Sequence, residues 1–350
     1  MKTHSRTVRL VCAALSLTCV MSVAACGGSH KKKKKAVSSS AVITPTATAT
    51  KTTPKPKPKP PVVDPLTGGK VVAGPVVAVK IDDTAAGRPQ AGIEQADIVY
   101  IEQVEGGLTR TMAVFHSHKP AQAGPVRSVR ANDPEVLSQY GPIAFAASGG
   151  GGDSLTELDR SSLRADISDR GGPGFSRDGN RPVPYNLMLN FAALPATLGA
   201  GAKAIGFTWS PLTKRAALFP KSASLRTVVG GTPVQFDWNP HAQKYVRLID
   251  GALQHAASGA TIATPNVIVQ FCKGHVNPND VDQAGNPGFF TESIGKGRLA
   301  VYRSGHRIDG YWQRKSAGSG TALKDKYNQD IALAPGGAWV VLVDSSAPLS

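Results

Sequence analysis

Four carboxylates and three arginines are spaced so that they can act together. Asp82 and Asp83 end a β-rich run over residues 76–81; Glu105, with Glu102 just inside, ends a second run over residues 98–104. If those runs are parallel strands, the acids project from one carboxyl edge, where open α/β sheets hold their sites. Arg110 follows the Gly106-Gly107 turn, and the stretch Gly124-Pro125-Val126-Arg127-Ser128-Val129-Arg130 adds two more guanidiniums. Carboxylates beside arginines can hold a polar ligand such as a sugar, or activate water. The same groups can also close into a structural ion-pair network around turns.

The elements that must position these residues follow from pattern. The connection over residues 84–97 has 14 residues, enough for a parallel crossover. Residues 111–115 and 143–147 read as third and fourth strands. Between them Asp133-Pro134-Glu135 opens a helix to residue 140, with Asp133 capping free amides, proline in the first turn and Glu135 at the positive end of the dipole. Asp153 likewise caps a helix over residues 154–160, and residues 186–201 read as a helix interrupted by Pro195. From there on, short β-prone runs (234–238, 244–249, 266–271, 298–302, 308–312 and 339–343) alternate with Gly, Pro, Asn and Asp, and Ser304-Gly305-His306 reads as a hairpin turn. The fold class is therefore an α/β N-terminal domain, residues 73–215, followed by a mainly antiparallel β (α+β) C-terminal domain, residues 216–350.

Other combinations carry less chemistry. Cys272 follows an apolar run and reads as a small buried hydrophobe; as a nucleophile with His275 it would lack an orienting group. His116 and His118, two apart, would share a strand face, but no further ligand stands at diagnostic spacing. Ser148-Gly149-Gly150-Gly151-Gly152 lacks the Gly-Lys-Ser/Thr ending of a phosphate loop. Tyr245, Arg247, Tyr311, Trp312 and Lys315 can make an aromatic-basic groove or pack as ordinary amphipathic strands. No metal and no cofactor is expected.

Charge is distributed unevenly. Of 40 basic and 24 acidic residues, thirteen basic and one acidic precede residue 71, leaving 27 against 23 in the rest, a net of +4. The basic character belongs to the N-terminal segment, so nucleic acid is not an expected partner. Lys2, Arg6 and Arg9 precede an apolar stretch over residues 10–23 that is short for a membrane span of ~20 residues. Val23-Ala24-Ala25-Cys26-Gly27-Gly28 resembles a bacterial lipobox, which makes 1–25 a lipoprotein signal peptide and Cys26 the lipidation site. Cys12 and Cys19 would leave with the signal, so Cys272 alone remains and no internal disulfide forms. Residues 26–72, with Lys31 to Lys35 and a Lys-Pro alternation over 55–60, read as a disordered spacer that lifts the body off the membrane. The expected location is extracytoplasmic, at the cell membrane, with anionic wall polymers or peptidoglycan as neighbours.

Several segments, taken in order, resemble the DUF3048 family of bacterial lipoproteins: Val79-Lys80-Ile81-Asp82-Asp83, Arg88-Pro89-Gln90-Ala91-Gly92-Ile93, Ala96-Asp97-Ile98-Val99-Tyr100, Glu105-Gly106-Gly107-Leu108-Thr109-Arg110, the Gly124–Arg130 stretch and Pro184-Tyr185-Asn186-Leu187. The resemblance covers about residues 73–345 and implies architecture and location rather than an activity. The chain departs from the family pattern at Asp82, where asparagine is common, and at Tyr185, where a histidine is common; no acid–base histidine is carried over. The candidate ligand-binding set is Asp82, Asp83, Arg88, Gln90, Glu102, Glu105, Arg110, Arg127 and Arg130. The function expected is a non-catalytic envelope module binding wall glycan, wall peptide or a protein partner. The alternative is an extracytoplasmic hydrolase or transferase of glycan or phosphate linkages.

Overall fold

The computed structural model describes residues 62–211, 218–282 and 284–350. The expected signal peptide, Cys26, the spacer through residue 61 and the domain join at 215/216 lie outside the described residues. The body begins earlier than expected, because residues 62–72 are not all spacer. Asp64, Leu66 and Thr67 are buried, and the Asp64 carboxylate accepts from the amides of Leu66 and Thr67 at 3.0 and 3.1 Å.

The strands of the first half are β1 (Val77–Asp82), β2 (Ile98–Gln103), β3 (Thr109–Phe115), β4 (Gln122–Ala123), β5 (Ala144–Ala147), β6 (Arg164–Ile167), β7 (Phe175–Arg177) and β8 (Leu187–Asn190). Two α-helices stand among the described residues, α1 (Asp133–Leu137) and α2 (Ser154–Arg160). A middle group comprises β9 (Ser224–Val229), β10 (Thr232–Asn239), β11 (Lys244–Ile249), β12 (Ala252–Leu253) and β13 (Ala263–Thr264). The last group is β14 (Asn266–Cys272), β15 (Gly274–Val281), β16 (Pro287–Thr291), β17 (Gly295–Arg303), β18 (His306–Arg314), β19 (Ala322–Asp325) and β20 (Ala338–Asp344).

The N-terminal half is a mixed sheet with few helices, and the C-terminal half is mostly antiparallel. The two halves share one ten-stranded sheet, in the order β19-β18-β17-β14-β20-β2-β3-β1-β5-β6. Strand β20 joins them, running parallel to β14 on one side and to β2 on the other. β1 and β2 run in the same direction, as expected, but β3 lies between them and is antiparallel to both. The 14-residue connection contains two 3-10 turns, Ala85–Gly87 and Ile93–Gln95, rather than a crossover helix.

Alternation along these strands gives the sheet two apolar faces. Ala78, Tyr100, Met112 and Val114 face Val136, Leu137, Tyr140 and Leu158 of the helical layer. Val79, Ile81, Val99, Ile101 and Ala113 face Leu225, Phe236 and Tyr245 of the second sheet, β9–β13. The helix expected over 186–201 is absent: Leu187–Asn190 is a strand paired with β4 and β7, followed by a 3-10 turn at Phe191–Ala193. Its alternating apolar residues, Leu187 and Leu189 in one core cluster, serve a short strand as well as they would a helix. The turn at Ser304-Gly305 is as expected, with Arg303 opposite His306 and both turn residues at positive φ, 51° and 74°.

Candidate functional site

Register alone brings the first three candidates together. Asp82, Arg110 and Glu102 are direct cross-strand neighbours on β1, β3 and β2, on the helix-side face of the carboxyl edge. Lys80, one pleat further in, sits in the middle of an apolar strand and is completely buried. Its ammonium bonds Glu102 and lies 2.6 Å from Asp133 Oδ1; Asn132 Nδ2 donates to the other Glu102 oxygen at 2.7 Å. Burial pulls the Lys80 pKa down to about 8; Asp133 opposes this, and Arg110 and Arg130 add to it. Asp133 therefore does not cap α1. Its second oxygen accepts from the Arg130 amide at 2.8 Å, and the cap position belongs to Asn132, with no side-chain cap bond. Asp153 likewise occupies the cap position of α2 without a side-chain cap bond.

Two further ion pairs line the same edge, Glu105 with Arg130 and Asp82 with Arg127. Glu105, buried in the 3-10 turn Glu105–Gly107, is held by Arg130, whose Nη2 donates at 2.8 Å and whose Nε contacts the other oxygen. Asp82 faces Arg127, Nε to Oδ2 at 3.1 Å, and accepts from the Thr84 amide and hydroxyl at 2.7 and 2.5 Å. The Asp82 carboxyl leaves no room for a Cβ at Gly87, so a close backbone approach requires glycine there. Arg127 also stacks on Tyr185, 5.2 Å from the ring centre. Arg88 donates from Nε to the Thr84 carbonyl at 3.1 Å.

Arg110 is the exception. It is 8% exposed, yet neither its Nε nor its Nη1 has a hydrogen-bond acceptor among the described residues, and Nη1 stands 3.9 Å from Glu105. Burial, then the like charges of Arg130 and Arg127, draw its pKa down to about 10, so it stays a cation at neutral pH.

Asp83 and Gln90 do not join this cluster. Asp83 is gripped by Arg247 of β11 through two bonds of 2.9 and 2.7 Å, and accepts from Thr109 at 2.8 Å. Burial raises its pKa, but the Arg247 charge and these bonds prevail and hold it below the ordinary carboxylate range. Gln90 donates to the Asp82 carbonyl and to Asp83, and accepts from Gln254 at 2.7 Å. Both residues thus tie β1 to the second sheet. The Gly106-Gly107 turn also admits backbone rather than ligand: the Gly231 amide and the Thr232 hydroxyl bond the Gly107 carbonyl at 2.8 and 3.1 Å.

The hairpin β15–β16 leaves the main sheet between β14 and β17 and reaches this edge. Buried Asp280 accepts from the Ala131 amide at 3.1 Å and from Ser154 Oγ at 2.5 Å, next to the starts of α1 and α2. Lys80, Asn132, Asp133 and Asp280 were not among the candidates, and Arg247 was read only as part of an aromatic-basic groove. For Lys80 there was a signal: a lysine in the middle of Val-Ala-Val-Lys-Ile requires buried counter-charge.

The other expected combinations separate. Cys272 is buried and its thiol is pushed up to about 12 by burial, whereas His275 is exposed and stacks on Phe290. His116 lies buried against the Val72 carbonyl and Asp64, and exposed His118 bonds Ser117, so they do not converge. Tyr245, Arg247 and Trp312 are buried, and Tyr245 and Trp312 belong to opposite faces of the sheet, so they form no groove.

Comparison with known proteins places this arrangement. The protein named "Putative lipoprotein YerB" of Bacillus subtilis (strain 168) is 27% identical over 294 residues, 80% of this chain and 85% of that protein. The crystal structure of YerB protein from Bacillus subtilis superposes with a TM-score of 0.69 at 21% identity, covering 83% of this chain and 100% of that one, which shows the shared fold. Residues 65–204 match the family described as "Protein of unknown function (DUF3048) N-terminal domain", and residues 224–340 match its C-terminal domain. The residues of the edge network therefore lie within these two matched regions, and the chain belongs to the DUF3048 family.

Proposed function

We propose that this protein is an envelope lipoprotein, held by lipid on Cys26 at the outer face of the cytoplasmic membrane, whose arginine cluster binds an anionic group carried by the cell wall. The lipobox-like sequence and the lipoprotein name of the relative support the anchor. No helix among the described residues is long and apolar enough to cross a membrane. The observation that carries the binding role is Arg110, a buried guanidinium with unspent donors beside Arg127 and Arg130. Such a group accommodates a carboxylate or phosphate through paired hydrogen bonds. A hydrolase or transferase would need a carboxylate free to exchange protons, and Asp82, Asp83, Glu102 and Glu105 are each held by a cation.

Co-sedimentation with purified wall sacculi tests the reading. Arg110→Met is expected to weaken binding about tenfold or more while melting near the wild-type temperature, since it strips no carboxylate of its partner. Wild-type binding no stronger than that of the variant, or early melting with proportionate loss, would refute it. Cys26→Ser is expected to lose lipid labelling and leave the membrane fraction.

A further inference from the structure

An opening lies at the opposite, amino edge of the parallel strands. It is a cavity of about 560 Å³, within the ~300–1,000 Å³ of small-molecule sites. Its charged and polar wall comprises Lys70, Glu94, Asp97, Ser117, His118 and Lys244. The acids come from the segment that enters β2, and the basic residues come from three other places: the loop before β1, the loop after β3 and the start of β11.

The two signs are unequally satisfied. Glu94 Oε1 accepts from Ser258 Oγ at 2.8 Å, but its buried Oε2 has no partner among the described residues. An orphan acceptor of this kind calls for a donor from outside the fold. Asp97 accepts from the His116 and Ser117 amides at 2.6 and 2.8 Å and from the Ser117 hydroxyl, which also meets His118 Nδ1 at 2.9 Å. Burial raises its pKa, and neighbouring Asp64 adds to that rise. Lys70, Lys244 and His118 are exposed around the same space. A simple anion would meet Glu94 and Asp97, and a simple cation would meet two lysines. A molecule with both charges at its two ends satisfies both walls, and Val72 and Ala96 supply apolar surface for what lies between.

We propose that this cavity binds an amino acid or short peptide with free termini, its ammonium on Glu94 and Asp97 and its carboxylate on Lys70, Lys244 and His118. The site shares no residue with the arginine cluster, so the two readings stand or fall independently.

Calorimetric titration of the full-length protein with the dipeptide Ala-Ala tests it. Saturable binding is expected, weakened about tenfold or more when the dipeptide is N-acetylated or C-amidated. Glu94→Gln should abolish the discrimination against the acetylated form, and Lys244→Ala the discrimination against the amidated form, with melting unchanged. Arg110→Met should bind the dipeptide as wild type does. Absence of saturation at millimolar dipeptide, equal binding of the blocked forms, displacement by inorganic phosphate at equal concentration, or unaltered discrimination in both variants would overturn the proposal.

Discussion

The two edges of the central sheet handle charge in opposite ways. At the carboxyl edge, five cations (Lys80, Arg110, Arg127, Arg130 and Arg247) meet five acids (Asp82, Asp83, Glu102, Glu105 and Asp133), and nearly all are buried. At the amino edge, Lys70, Lys244 and His118 stay in water around an open cavity. The difference shows that density of charge in the sequence does not locate free binding capacity. Most charges at the carboxyl edge are consumed in fixing strands to one another, which leaves Arg110 unspent. The sparser edge keeps its groups available.

The contrast can be broken most forcefully at Lys80. Lys80→Met leaves Glu102 and Asp133 buried without their cation, and a loss of about 3–5 kcal/mol is expected in denaturant unfolding. A loss below ~1 kcal/mol would mean that the trio is not closed. The edge strand β6 offers a subtler case. Asp166 is 2% exposed, neither of its oxygens has a hydrogen-bond partner among the described residues, and burial raises its pKa to about 6. The folded state then holds a proton that the unfolded chain releases near pH 4, so Asp166 costs stability progressively as pH rises from about 4 through 6. After discounting for solvent screening, Asp166→Asn should stabilise on the order of 1–2 kcal/mol at pH 7.5 and have no effect below pH 4. Unfolding at the two pH values reads this directly. The smallest effect belongs to the amino edge: Lys244→Ala should change stability by no more than about 0.5 kcal/mol, and a larger loss would show that this edge is also structural.

Much of the carboxyl edge was legible because strand ends and register are local. Asp82, Glu102 and Arg110 meet at strand ends that the apolar runs marked, although the pairing of β3 with both β1 and β2 was not itself foreseen. Which face each acid takes was not legible for Asp83. Its partner, Arg247, lies 164 positions away on a strand of the second sheet. Period failed over 187–190, where four residues are too few to separate a strand from a helix. The amino-edge cavity had no signature at all, since its wall is assembled from segments far apart in the sequence, Lys244 among them on β11 of the second sheet.

The position of β20 has a consequence in time. It follows every other described strand in chain order, yet it fills the slot between β14 and β2 at the centre of the sheet. A chain that emerges from its N-terminus therefore carries two open strand edges, those of β2 and β14, until residues 338–344 arrive. Exposed edges of this kind are templates for wrong pairing. For such a chain the hazardous interval is the whole passage from β14 to β20. Slowing elongation or export just before residue 338 should promote aggregation more than the same delay placed after it.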